Sequence, residues 1–353
     1  MDYSFAFGGA QPPDECAAAE ARARWDSVAK PLGSLGLLED AVVKIAALTG
    51  SSDVRIDNRA LFVLCADNGV VSEGVSQSGS EVTMIVAENL TRGDTAVCRM
   101  AAVARADVIP VDMGMASRPS FGGLVDRRVG DGTQNIALGP AMTRDQACEA
   151  IVHGVELARR ARGSGRRLLA TGEMGIGNTT TSSAVAAVLM GLPAESVTGR
   201  GSGLGDGALY RKIAVIKRAI ALNRPDPDDA LDVLAKLGGF DIAGMAGLFL
   251  GGAIYKIPVL IDGFISSCAA LAASRLMPSS TCAMLSSHVS GEPAGGAVLK
   301  ALGLRPLINA GMRLGEGTGA IAAIPLLDMA LAVYHGSSSF SDIGMDAYRP
   351  PES

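Results

Sequence analysis

Aromatic side chains are scarce in this chain, at 4% of 353 residues, and the only histidines are His153, His288 and His335. They lie far apart and without HExxH-type spacing, which argues against a histidine-held metal centre. The six cysteines (Cys16, Cys65, Cys98, Cys148, Cys268 and Cys282) include no CxxC pair. That scatter speaks against both a zinc site and a disulfide framework, and fits a reduced cytoplasmic protein. Basic residues are not in excess either. A net charge of -5 and a pI near 5.3 leave no electrostatic footprint for nucleic acid or an anionic membrane.

Long apolar runs are also missing. None reaches the ~18 uninterrupted residues that a membrane helix needs, and the longest candidate, Met245 to Ile265, is broken by Lys256, Pro258 and Asp262. The N-terminus, MDYSFAFGG, has an acid where a secretory signal would be basic. Cytoplasmic placement, with no nucleic-acid or membrane partner, is the expectation.

What is present is an aliphatic core. Hydrophobic residues make up 48%, so the interior is built from Ala, Val, Leu, Ile and Met. The length suits one large α/β domain and a smaller lobe. Glycine is abundant at 44 residues, well above the usual ~7%. It falls in short clusters without a period, the mark of many tight strand-to-helix turns.

Pro13 to Ala29 is rich in Ala, Glu and Arg and predicts a helix, ended by the turn Lys30-Pro31-Leu32-Gly33-Ser34-Leu35-Gly36. A second helix is predicted from Leu37 to about Leu48. Apolar strands are predicted at Leu61–Cys65, Val108–Val111, Arg167–Ala170 and Val259–Ile261, with helical patterns between them. Such runs imply a parallel sheet covered on both faces, whose ligands bind beyond the strands' carboxyl ends. Those ends run into Ala66-Asp67-Asn68-Gly69, Asp112-Met113-Gly114, Gly172-Glu173-Met174-Gly175 and Asp262-Gly263. Asp226-Pro227 reads as the start of a packing helix with Leu231, Leu234 and Leu237 on one face, stopped by Gly238-Gly239. The Ser-, Gly- and Pro-rich tail from Gly336 to Ser353 is expected to pack loosely.

Four segments could carry chemistry. Gly172 to Thr181 (GEMGIGNTTT) follows a strand and opens a helix, where free N–H groups can hold a phosphate. A turn of this kind is as often purely structural. It lacks the lysine placement of GxxxxGK[ST] and the spacing of GxGxxG, so ATP or NAD binding is not supported. Gly199 to Gly207 is a second amide-rich loop, followed by Arg211 and Lys212; a solvated surface role suits Arg211 best. Ser287 to Glu292 and Met312 to Gly319 each place a glutamate beside glycine. Such a glutamate can face a pocket, and partial desolvation would raise its pKa toward that of a base; a structural turn is the plainer reading of each alone.

Taken in order, Lys30–Gly36, Gly172–Thr180, Ala235-Lys236-Leu237-Gly238-Gly239-Phe240-Asp241 and Arg313-Leu314-Gly315-Glu316-Gly317 resemble one family, nicotinate-nucleotide:dimethylbenzimidazole phosphoribosyltransferase. The resemblance runs from about Trp25 to Tyr334. It implies a Rossmann-like parallel sheet covered by helices (51–299) and a small helical lobe from both chain ends (1–50 and 300–353). It implies phosphoribose transfer from nicotinate mononucleotide to an aromatic base, giving the α-ribotide and nicotinate for cobamide biosynthesis. No cofactor and no metal are implied.

By the same resemblance Glu316 matches the catalytic base, Glu173 an acid beside the nucleotide, and Lys212 a cation near its phosphate. Gly175, Gly177 and Ser290 fall in nucleotide-lining segments. A dimer is implied, either a homodimer or a heterodimer with a paralogue. Two positions depart from the pattern. Asn68 replaces a histidine, and Val86 stands where benzimidazole-using members have glutamine, beside a smaller Ser76–Ser80 loop. Relatives that attach phenol or cresol work as paired paralogues, so a phenolic acceptor is an alternative to a benzimidazole. A catalytically weak paralogue that supports a partner is another alternative, against which the retained Glu316, Glu173 and Lys212 speak. An unrelated dinucleotide oxidoreductase is disfavoured by the missing fingerprint.

Overall fold

Strand β1 (Arg59–Ala66) is buried along its whole length and flanked in parallel by β2 (Ala106–Gly114) and β4 (Leu168–Met174). Burial on both faces is why it reads as an unbroken apolar run. The computed structural model describes residues 6, 8–201 and 203–348. Most of the start of MDYSFAFGG, Ser202 of the second glycine-rich loop and the end of the tail lie outside the described residues.

The order along the chain is α1 (Glu15–Ser27), α2 (Leu37–Thr49), β1, α3 (Glu81–Arg92), α4 (Ala96–Val103), β2, β3 (Val125–Asp126), α5 (Arg144–Gly163) and β4. There follow α6 (Asn178–Met190), α7 (Ala194–Val197), α8 (Asp206–Asn223), α9 (Ala230–Leu237) and α10 (Phe240–Ile254). The chain closes with β5 (Val259–Ile261), α11 (Phe264–Leu276), β6 (Met284–Ser286), α12 (Gly295–Ala301) and α13 (Thr318–Gly336). The six strands pair in parallel in the order β3-β2-β1-β4-β5-β6. This is the doubly wound order, whose direction reverses between β1 and β4 and opens a crevice there. The sheet is Rossmann-like, as expected. Strands β3, of two residues, and β6, of three ending in serine, are not marked by the sequence, whereas the equally short β5 is a wholly β-branched or leucine run.

Alternate residues feed two cores, as the period of a strand requires. Ala60, Phe62 and Leu64 join one apolar cluster with α5, α6 and α8 to α11. Leu61, Val63 and Cys65 join another with α1 to α4 and α13. Both chain ends therefore meet on one face of the sheet, where Trp25 of α1 packs edge-on to Tyr334 of α13 at 5.0 Å. On the opposite face α5 and α10 cross in direct backbone contact. A Cβ on Gly154 would lie 2.0 Å from the Gly244 carbonyl oxygen, and one on Gly247 2.0 Å from that of Ile151. A side chain at either would force the helices apart, at about 1–3 kcal/mol.

Two local expectations need correction. Helix α9 starts at Ala230 and is capped by the Asp229 side chain, which accepts from the N–H groups of Leu231 and Asp232. Asp226 instead caps the preceding turn, accepting from the Asp228 N–H at 3.0 Å. The tail is held further than composition suggests: Ser339 pairs with Val28, and Phe340 is buried. Helix α13 has 19 residues and a mean hydropathy of 1.4, enough by length and composition to cross a membrane. It is half buried inside the fold, contains Pro325, and ion-pairs its Asp328 with Arg59.

Candidate active site

A cavity of about 290 Å³ opens where β4, β5 and β6 end. Glu173, next to last in β4, is buried at its floor. The chain then turns through Gly175 and Gly177, which line the cavity, and Gly177 enters α6 with φ +96°. The first residue of α6, Asn178, donates through Nδ2 to Glu173 Oε2 and, at 3.0 Å, to Asp241 Oδ2. Asp241 comes from the first turn of α10 and has no exposed surface.

Glu316 sits on a loop of left-handed residues laid against β4: Gly315 at φ +88°, Glu316 at +59° and Gly317 at +92°. A non-glycine residue in this conformation costs of order 1–3 kcal/mol, so its surroundings must hold it there. Asp262, just beyond β5, does so by accepting from the N–H groups of Gly317 (3.2 Å), Gly319 (2.8 Å) and Ala320 (3.0 Å). It thereby caps α13 and fixes the loop together. Gly315 also leaves room for Glu173, since a Cβ there would lie 2.7 Å from Glu173 Oε1.

The carboxylates are poised by burial. Desolvation raises the Glu316 pKa, with Asp262 adding to it; the Thr95 hydroxyl and the Val97 N–H at the start of α4 oppose the rise. Glu316 Oε2 is buried without a hydrogen-bond partner. Burial, followed by the neighbouring Asp241, holds Glu173 well above the usual carboxylate range. Burial also pushes Asp241 up to about 6, against the Asn178 bond, and raises Asp262, against His288. A cavity with so many half-suppressed negative charges favours a cation, or positive charge developing in a transition state.

The cationic side is arranged differently. Lys212 of α8 is buried behind the cavity wall, and its Nζ donates to Thr179 Oγ1 (2.8 Å) and to the Gly199 carbonyl (3.2 Å). Burial lowers its pKa to about 8, with Glu292 as the opposing charge. Thr179 lines the cavity, so Lys212 reaches it through one hydroxyl. Arg200 and Arg313 stand at the lining, and Arg200 is paired with Asp206. Arg211 is exposed, as the surface reading expects.

Ser290 and Val86 line the cavity, the former from the segment after β6 and the latter from α3. Of the residues singled out from sequence, then, Glu316, Glu173, Gly175, Gly177, Ser290 and Val86 meet in one cavity, and Lys212 lies one layer behind. Asn68 is buried beneath it, accepting from the Thr181 hydroxyl at 3.0 Å. Sequence reading gave no site role to Asp262, Asn178, Asp241 or His288. The available signal was position, since Asp262 directly follows a strand and the others fall inside the flagged segments.

The comparisons with known proteins agree in direction. A family model described as phosphoribosyltransferase matches residues 10–345. A nicotinate-nucleotide–dimethylbenzimidazole phosphoribosyltransferase of Acetivibrio thermocellus is 50% identical over 327 residues, covering 93% of each chain. A protein of the same name from Roseiflexus sp. is 48% identical over 335 residues, 95% of each chain. The crystal structure of CobT from Thermus thermophilus superposes with a TM-score of 0.89 at 41% identity, covering 94% of this chain and 99% of that one.

Proposed function

The chain belongs to the nicotinate-nucleotide–dimethylbenzimidazole phosphoribosyltransferase family, and we propose that it moves phosphoribose from nicotinate mononucleotide to an aromatic lower-ligand base for cobamide assembly. The bond from the pyridinium nitrogen to C1′ breaks, and its electron pair stays on nicotinate. The acceptor attacks C1′ from the opposite face, which gives the α-ribotide. Glu316 takes the acceptor's proton. Glu173, with Asp262 behind it, supplies negative charge to the oxocarbenium-like sugar. The leaving group is already cationic, so positioning and one base are the main demands. At the turn into α6 the N–H groups of Asn178, Thr180 and Thr181 are bonded to the Gly175 and Gly177 carbonyls, so Thr179, with Lys212 behind it, is what suits the nucleotide phosphate.

The observation that carries this reading is the unpartnered Oε2 of Glu316 in the cavity that also holds Glu173. An idle buried acceptor of this kind costs free energy unless a ligand's N–H or O–H completes it. For the acceptor, Val86 offers apolar contact and no hydrogen bond. That favours tolerance of phenol or cresol beside benzimidazoles, with the chain as a homodimer or paired with a paralogue. The test is the mass and anomeric configuration of the ribotide formed from nicotinate mononucleotide with a panel of bases and phenols. A β-ribotide, or no ribotide with any acceptor, alone or with a co-expressed paralogue, would sink the proposal.

A further inference from the structure

The side chains of Asn178 and Asp241 have no part in the mechanism above, yet among the described residues Asn178 is the side-chain hydrogen-bond partner of the Glu173 carboxyl, and Asp241 shares that donor. One carboxamide nitrogen donates to both acids, to Glu173 Oε2 and to Asp241 Oδ2 at 3.0 Å. Asp241 is fully buried, and its other oxygen, Oδ1, has no partner. The place is crowded from below: a Cβ on Gly239 would lie 2.4 Å from Asp241 Oδ1 and 2.6 Å from Asn68 Oδ1. Two carboxyl groups on one donor cannot both ionise cheaply without a cation between them.

We infer that Asn178 and Asp241 are positioning residues that make Glu173 one half of a carboxyl pair: in the empty cavity the pair holds one proton and one negative charge. The charge on Glu173 is then set by its neighbours and not by bulk water. This rests on the reading of Glu173 as the acid beside the nucleotide. A cationic pyridinium entering the cavity draws the pair toward its ionised form, and the proton leaves to solvent.

The two supports act with opposite sign. Asp241 is the foremost charged neighbour raising the Glu173 pKa, and the Asn178 bond is what lowers it. The other acids facing Glu173 are Asp262 beyond β5 and Glu316 on its loop. Asp67, beyond β1, acts on Asp241, Cys65 of β1 feels both acids, and His288 faces Asp262. These neighbours stay in place in the variants below. Glu316 itself answers to burial and to Asp262, and Asp241 is not among the groups acting on it.

The experiment uses Asp241→Asn, which keeps an acceptor for Asn178 while removing the charge, and Asn178→Ser, which withdraws the shared donor. Infrared titration of the empty protein follows the protonated-carboxyl band, with Glu173→Gln assigning it. In parallel, kcat/KM for nicotinate mononucleotide is measured against pH. The expected result is a fall of the Glu173 titration and the acid limb to lower pH in Asp241→Asn, and a rise of both in Asn178→Ser. Packing roles alone would lower stability or kcat and leave both titrations where they are. Unmoved titrations, or a shift of both variants in one direction, overturn the inference. The infrared arm needs no turnover, so it decides the inference even where wild type makes no ribotide, which would refute the proposed function instead. Should one variant fail to fold, the direction seen in the other still decides it.

Discussion

The carbonyl of Glu316 lies directly over Gly172, so that a Cβ on Gly172 would sit 2.5 Å from it and 2.7 Å from its carbon. The loop that presents the proposed base is therefore laid on the backbone of the strand that presents Glu173. Residues far apart in the chain are held in one geometry by the lack of a side chain.

Gly172→Ala should lift that loop. Overpacking against backbone costs about 1–3 kcal/mol, and a displacement near 1 Å at a reacting group can cost on the order of 100-fold in rate. The expected outcome is a lowered Tm together with a larger loss in kcat than in nucleotide affinity. Full activity in the variant would show that the contact does not position Glu316.

Replacing Glu316 with Gln keeps shape but removes the proton acceptor. Loss of a general base costs roughly two to four orders of magnitude in rate, with nucleotide binding retained. Because burial raises the Glu316 pKa, wild-type kcat should fall on the acid side at a higher pH than an ordinary carboxylate would give. Single-turnover rates across pH check both points, and wild-type turnover by the Gln variant would remove Glu316 from the mechanism.

Lys212 gives a prediction with two signs. Its pKa is about 8 in the fold against 10.5 as its ordinary value. The unfolded chain thus binds the proton more tightly, and the cost of burying the charge is fully present below pH 8. That cost is relieved as pH rises from 8 to 10.5. Lys212→Met should raise stability at pH 7 by about 1–3 kcal/mol, and the gain should shrink toward pH 10. Nucleotide affinity should fall more than kcat does, since the proposed contact is to a non-reacting phosphate. Denaturation at two pH values and a binding titration read these separately; unchanged nucleotide affinity would detach Lys212 from the phosphate.

Acceptor choice tests Val86. A glutamine in its place could hydrogen-bond a polar edge of the acceptor, an interaction worth on the order of 1–3 kcal/mol when its loss leaves a partner unsatisfied. Val86→Gln should shift the ratio of kcat/KM toward 5,6-dimethylbenzimidazole and away from p-cresol. If wild type turns over benzimidazoles alone and the ratio does not move, the valine only packs and the phenolic reading falls.

The sequence by itself determined the parallel α/β framework. Strands buried on both faces must be continuous apolar runs, and glycine must punctuate their turns; Leu61–Cys65 and Val259–Ile261 fall inside strands for that reason. It also drew attention to Glu316, whose flanking glycines give it no side-chain cover, although its role as base came from the family resemblance. The left-handed backbone there is a finding of the structure. What it left open were relationships between distant residues. Asp262 caps a helix beginning at Thr318, and Asn178 joins Glu173 to Asp241 of α10. Lys212 turns inward while the residues of α8 before it are exposed or half-buried. Whether a carboxyl is charged, or an ammonium buried, depends on how much water the surrounding elements remove and which charges they bring near. Only the folded arrangement of β4, α6, α10 and the Glu316 loop decides that.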